Sequence, residues 1–262
     1  MTHAQIAEAK RLIGQLHALS AVVTRTRKVE IQEEKAVREA IPIEVEWTPA
    51  EAEFYMLFDQ WQRARARQLG MPVGFVTQMP LRLASTCLPA ARQRVLDGSF
   101  ADEGDLDAAA HLDDEQDIDD PDRPPPEVVA AARALPEGVD TKFDAFLERL
   151  LPVVAQGKQG LVFTFSRVAL AYLHERLRDR GRVDVLHGGV EKDRRQAVMR
   201  RFRDNEFDVM VASRVASEGL DFEFCSAVVN YDLPWNPMEV EQRIGRIDRF
   251  GQTEEKVLVL NF

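Results

Sequence analysis

Apolar residues follow two different periods along the chain, and the change from one to the other divides it. After Thr48 the positions Phe54, Leu57, Phe58 and Trp61 recur at three and four residues, the spacing of one buried helical face. Thr48 is a good helix cap, Pro49 suits the first helical position, and Glu51 three residues after the cap can return a hydrogen bond to it. These aromatic residues read as packing, and residues 1–100 as mostly helical. A second helical stripe, Phe143, Phe146, Leu147, Leu150 and Leu151, opens the remainder. The texture then becomes short apolar runs: "LVFTF" (161–165), "VDVLH" (183–187), "DVMVA" (208–212), "AVVNY" (227–231) and "KVLVL" (256–260). Helical stretches such as "RVALAYLHERLRDR" and "KDRRQAVMRRFRD" separate most of them. Short β-branched runs alternating with helices predict an α/β fold with a parallel, doubly wound sheet.

Charge changes this picture in one place. Residues 101–122, "ADEGDLDAAAHLDDEQDIDDPD", hold eleven carboxylates and no Lys or Arg, and they account for the formal net charge of −10. With the "PDRPPPE" that follows, residues 101–127 read as a disordered insertion or long loop. It is either a solvated loop or a mimic of DNA that gates a basic groove. "DEQD" (114–117) matches a magnesium-binding ATPase box by letter, but no buried strand leads into it, so the match is chance. The domain boundaries expected are therefore 1–100, 101–127 and 128–262. No apolar run reaches the ~18 residues of a membrane helix. Cys87 and Cys225 lie far apart with no CxxC pair, which predicts neither a disulfide framework nor a metal site and fits a reducing cytoplasm.

In doubly wound sheets ligands gather at the carboxyl ends of the strands. Ser166, Gly188-Gly189, "SRVASEGLD" (213–221) and "DLPWNP" (232–237) follow the predicted strands. Small residues and hydroxyls there let backbone N–H groups approach phosphates. After them Asn236, Pro237 and Glu239 predict a helix start, and the helix is expected to run to about Phe250 with Gly251 ending it. On it Gln242, Arg246 and Arg249 would share a face, with Gly245 leaving room for close approach. Arginine at such a spacing suits bidentate contact to phosphate oxygens. Trp235 reads as packing, His187 as a strand-end residue without catalytic work, and Arg243 as either a surface charge or a member of the site.

"YDLPWNPMEVEQRIGRIDRFGQ" (231–252) resembles motif VI of superfamily 2 helicases and translocases, and as a unit the Swi/Snf-type ATPases, nearest their bacterial RapA/HepA-like members. "VMVASRVASEGLDF" is similar to motif V, "LVFTFS" to motif IV, "TRTRKVEI…IPIEVEWTPAEAEFY" to the helical region leading into the second motor lobe, and "LRLASTCLP" to its leucine-arginine helix. The resemblance covers nearly the whole chain outside the acidic run. It implies a RecA-like sheet flanked by helices, with ATP and Mg²⁺ as cofactors. Arg246 and Arg249 match the arginine fingers that stabilise charge on the γ-phosphate. Gln242, Gly219 and Asp221 match positions near the nucleotide. Ser166 and Ser213 match contacts to the DNA sugar-phosphate backbone, which track a strand without reading sequence.

No GxxxxGK[ST] segment and no strand-borne DExx box occur in the sequence. The resemblance places both in a first motor lobe, so the chain is expected to be half of a two-lobe motor, cut from a longer protein and inactive alone. The function expected is the second lobe of a DNA-stimulated ATPase that translocates on duplex DNA or remodels nucleoprotein. Its partners would be duplex DNA and the upstream lobe, with RNA polymerase or a defence-system component open. The alternative is a non-catalytic module that docks nucleic acid or protein.

Overall fold

A computed structural model describes residues 36–98, 124–213, 219–249, 252 and 254–262. The acidic run with its "DEQD", and Phe250 and Gly251, lie outside the described residues. Six parallel strands form one sheet in the order β1-β6-β5-β2-β4-β3: β1 (Val37–Pro42), β2 (Gly160–Phe163), β3 (Val183–Leu186), β4 (Val209–Ala212), β5 (Ala227–Asn230) and β6 (Lys256–Asn261). The chain leaves β2 towards β4 and β3 on one side and returns to β5 and β6 on the other. The carboxyl ends of β2, β4 and β5 therefore border the topological switch, where such sheets hold ligands.

The central strands β2, β4 and β5 are largely apolar because both sheet faces are covered there. Leu161, Phe163, Met210, Ala212, Val228, Val257 and Val259 point to one core, with Val198, Met199 and Phe202 of helix α7 (Lys192–Arg203). Val162, Val209, Val211, Val229 and Leu260 point to the other, against Phe143, Phe146, Leu147 and Leu150 of α5 (Thr141–Ala155) and Leu170, Leu173 and Leu177 of α6 (Arg167–Arg178). Alternation along each strand assigns successive side chains to opposite layers. Leu151 is an exception to the expected stripe: it faces solvent.

Two features depart from the sequence reading. Strand β1 falls within the region expected to be helical. It pairs in register with β6, Val37 against Lys256 through Pro42 against Asn261. Its residues "VREAIP" are mostly exposed, so an edge strand with one neighbour leaves little apolar signature. The second departure concerns α4 (Pro126–Ala134). Its Val128 and Ala132, with Leu135 just beyond it, pack with Phe54, Phe58 and Trp61 of α1 (Pro49–Gln68) and with Leu88, Ala91 and Val95 of α3 (Leu88–Asp97). Residues 126–135, expected at the start of the RecA-like domain, thus join the helical cluster. Helix α2 (Val73–Thr86) completes that cluster through Ala84.

The expected start of α1 is present in full. Thr48 accepts from the Glu51 N–H, and Glu51 accepts in return from the Thr48 N–H. The other Glu51 oxygen accepts from the N–H and hydroxyl of Thr141 at 3.0 and 3.2 Å. One carboxylate thereby ties the first turn of the helical cluster to the first turn of α5. None of the helices in the described residues is long and apolar enough to cross a membrane.

Candidate functional site

The segment carrying the arginines is built differently from expectation. Helix α8 (Pro237–Ile244) starts as predicted, with the Asn236 side chain accepting from the Met238 N–H at 3.0 Å. It ends at Ile244, capped by Gly245, six residues short of the expected end. Ile244 and Ile247, three residues apart, are both buried against the sheet. Residues 245–249 form turns, with the N–H groups of Arg246, Ile247 and Asp248 bonded to the carbonyls of Arg243, Ile244 and Ile244. The Phe222 N–H holds the Arg246 carbonyl at 2.9 Å. Arg246 and Arg249 thus sit on a turn while Gln242 sits on the preceding helix, exposed.

The two arginines differ in their surroundings. Arg246 is half-buried, and its guanidinium has no hydrogen-bond or ion-pair partner among the described residues. Arg249 is exposed; its Nη1 lies 2.5 Å from Asp221 Oδ1 and its Nε donates to the Gly245 carbonyl at 3.0 Å. Gly219, φ +77°, brings the chain into Asp221 through a left-handed residue that a side chain would strain. The structure thus brings Asp221 and Arg249 together and places Gly219 two residues from that pair. A guanidinium that solvent reaches and that no described neighbour engages can give bidentate contact to an anion in front of this turn. The described residues contain no group of three or more His, Cys, Asp or Glu that could hold a metal.

Ser166 and Ser213 are fully covered. Ser166 caps α6, its hydroxyl accepting from the Ala169 N–H at 3.3 Å. Ser213 follows β4 and its N–H bonds the Leu186 carbonyl at 2.9 Å. Its hydroxyl is buried without a hydrogen-bond partner among the described residues, as is that of Thr164 after β2. His187 follows β3 and its ring lies against Gly189, where a Cβ would come within 3.3 Å. Trp235, expected to pack, is 76% exposed, and Met238 and Leu233 beside it are 61% and 49% exposed.

Arg243 proves to be buried, and sequence reasoning left its role open. Its Nη1 donates to Asn230 Oδ1 at 3.1 Å and to the Asp232 carbonyl at 2.9 Å, while Nη2 lies 3.7 Å from Asp232 Oδ1. Its guanidinium stands 5.2 Å from the centre of the Phe163 ring. Burial pulls its pKa down, with the charge of Asp232 opposing. Asp232 also accepts from the Phe165 N–H at 2.8 Å and lies 3.6 Å from Arg82 Nη2 of α2, whose guanidinium stacks 3.9 Å from the Phe165 ring. One carboxylate at the end of β5 therefore joins the helical cluster, the exit of β2 and the arginine-bearing helix. A signal existed: Asn230 and Asp232 are polar residues closing an otherwise apolar strand, and buried polar groups there require partners.

A parallel sheet of this order, two cores deep, with arginines on a turn near its switch point, defines a RecA-like α/β lobe. Residues 141–251 match the helicase conserved C-terminal domain. The chain is similar to the uncharacterized ATP-dependent helicase YqhH of Bacillus subtilis, 38% identical over 96 residues, or 36% of this chain and 17% of that protein. It is also similar to the RNA polymerase-associated protein RapA of Yersinia pestis, 38% identical over 120 residues, 43% of this chain and 12% of that protein. The chain thus spans less than a fifth of these two relatives. Among solved structures, the C-terminal part of the Fun30 ATPase domain superimposes with a TM-score of 0.59 at 15% identity, over 87% of this chain and 85% of that one. The Pyrococcus furiosus Hef helicase domain gives 0.60 at 17% identity, over 100% of this chain and 62% of that one. At these identities the two structures share the fold alone.

Proposed function

We propose that this lobe is the second half of a DNA-stimulated ATPase motor that translocates on duplex DNA or remodels nucleoprotein. The observation that carries the reading is Arg246, fixed by its backbone in a bonded turn while its guanidinium stays open to solvent with no partner among the described residues. A γ-phosphate presented by a first lobe would fill that place. Arg246 and Arg249 would stabilise the charge that develops on it; Gln242, Gly219 and Asp221 would line the nucleotide's near side. ATP supplies the phosphoryl group, and Mg²⁺, held chiefly by the first lobe, neutralises its oxygens. Ser166 and Ser213 would contact the DNA backbone, and the buried, unpartnered hydroxyl of Ser213 would gain its hydrogen bond there. The likeness to RapA makes RNA polymerase a candidate partner, and the cytoplasm is the compartment proposed.

The exposed cluster of Leu233, Trp235 and Met238 supports a second reading, a docking module without turnover. ATP hydrolysis separates the two. The chain alone should show none, with or without duplex DNA. Fusing an ATP-binding first lobe ahead of it should give DNA-stimulated hydrolysis, and Arg246→Ala should then lower the rate by ~10³ or more, as loss of an arginine finger does. Turnover by the chain alone, or an Arg246→Ala fusion as fast as wild type, would refute the motor reading.

A further inference from the structure

The arginine-bearing turn is gripped from the edge of the sheet. Arg38 stands near the start of β1, paired in register with Val257 of β6. Its Nε lies 2.5 Å from Asp248 Oδ2 and its Nη1 2.9 Å from Glu241 Oε2. Glu241 lies in the last turns of α8, and its carbonyl accepts the Gly245 N–H that closes the helix. Asp248 belongs to the turn itself, its side chain 7% exposed. The two carboxylates therefore flank Gly245, Arg246 and Ile247, and one guanidinium holds both.

We propose that Arg38 is a positioning residue for Arg246. A guanidinium is a rigid planar fork, so donors on two of its nitrogens fix the separation of two carboxylates as well as neutralising them. That separation is the angle at which the turn leaves α8, and with it the direction of Arg246. An arginine on an edge strand can also serve only to deter strand pairing, and exposed ion pairs contribute little to stability. Neither of those roles requires two acceptors placed either side of one turn, or an acceptor as covered as Asp248. The burden of Arg38 is thus geometry, and its loss should be felt in the reaction far more than in the fold.

The inference rests on the motor reading for its catalytic consequence, and the test separates the two. Amide exchange is measured first on the chain by itself, for the N–H groups of Arg246, Ile247 and Asp248. Arg38→Gln should speed their exchange roughly fivefold, the range open to loss of two partly exposed ion pairs, with the midpoint of thermal unfolding little changed. In the two-lobe fusion, Arg38→Gln should lower kcat about tenfold with KM for ATP nearly unchanged, the pattern of an interaction made in the transition state. Arg38→Lys, which keeps the charge and loses the fork, should recover only part of kcat. Unchanged exchange in Arg38→Gln overturns the clamp. Faster exchange with an unchanged kcat, in a fusion that Arg246→Ala inactivates, overturns the catalytic role of the clamp and leaves the motor reading intact. A fusion indifferent to Arg246→Ala overturns the motor reading, and the exchange result alone then decides the clamp.

Discussion

Neutralising Asp232 should unfold this lobe at a markedly lower temperature. Its side chain and that of Arg243 are 5% and 4% exposed, with Nη2 and Oδ1 3.7 Å apart. At an effective dielectric constant of about 20, one such pair attracts by roughly 4 kcal/mol before desolvation is counted. Asp232→Asn keeps the shape and an oxygen for the Phe165 N–H, so no backbone group is orphaned. It leaves the Arg243 and Arg82 guanidiniums facing a neutral amide. Removing one member of a buried ion pair typically costs about 3–5 kcal/mol. For a unit of this size each kcal/mol lowers the unfolding midpoint by roughly 2–4 °C, so the expected drop is about 6–20 °C. Circular dichroism melts at pH 7 measure it. Arg243→Met alone should also destabilise, by stripping Asn230 Oδ1 and the Asp232 carbonyl of their donor. The double variant should be more stable than the sum of the two losses, because neither charge is then left alone. An Asp232→Asn midpoint within measurement error of wild type, or strict additivity in the double variant, would refute the coupling inferred here.

Three further outcomes are expected. Burial alone would raise the pKa of Glu51, but hydrogen bonds from Thr141 and Thr48 outweigh it and hold the carboxyl below its ordinary range. Its stabilising contribution is complete above the unfolded value and lost as pH falls through the folded one, so the melting gap between wild type and Glu51→Gln should narrow as pH falls from about 6 towards 3. A gap constant over that span contradicts the assignment; Asp140, whose pKa is raised by burial with the Glu51 charge adding to the rise, drifts the opposite way, and less so in Glu51→Gln. Asp221→Asn removes an exposed partner from Arg249 and should shift stability by less than about 1 kcal/mol, and a larger loss in urea titrations would mean the pair is structural. Gly219→Ala forces a side chain into φ +77° and should cost about 1–2 kcal/mol, read in the same titrations; no loss would show that the turn relaxes.

How much of this was legible beforehand depends on how many faces of an element are buried. Strands β2, β4 and β5 are covered on both sides, so their sequences are apolar apart from Asn230 at the end of β5, and they are legible. Strand β1 has one neighbour and mostly exposed side chains, so nothing in "VREAIP" distinguishes it from a loop. The start of α8 was readable from Asn236 and Pro237, which act locally. Its end was not, because Gly245 closes the helix in a right-handed conformation and the turn beyond is set by tertiary bonds from Phe222 and Arg38. The arginines were legible as chemistry, whereas Arg243 was hidden: its partners Asn230, Asp232 and Phe163 are brought to it by the sheet. Trp235 was misjudged as core because aromatic residues usually are buried, while here the loop after β5 turns it outward.

Among the described residues strand β1 pairs with β6 alone, and Val37 meets Lys256 about 220 residues later in the chain. Synthesis at 5–20 residues per second leaves the earlier strand waiting on the order of 10–40 s for its mate. The remaining strands can assemble around β2 meanwhile, since β4 and β5 both lie against it. Closing the sheet is therefore the most non-local step among the described strands, of the kind that slows folding most. Arg38 rides on that strand, so the grip on the arginine turn depends on a pairing made across nearly the whole described chain.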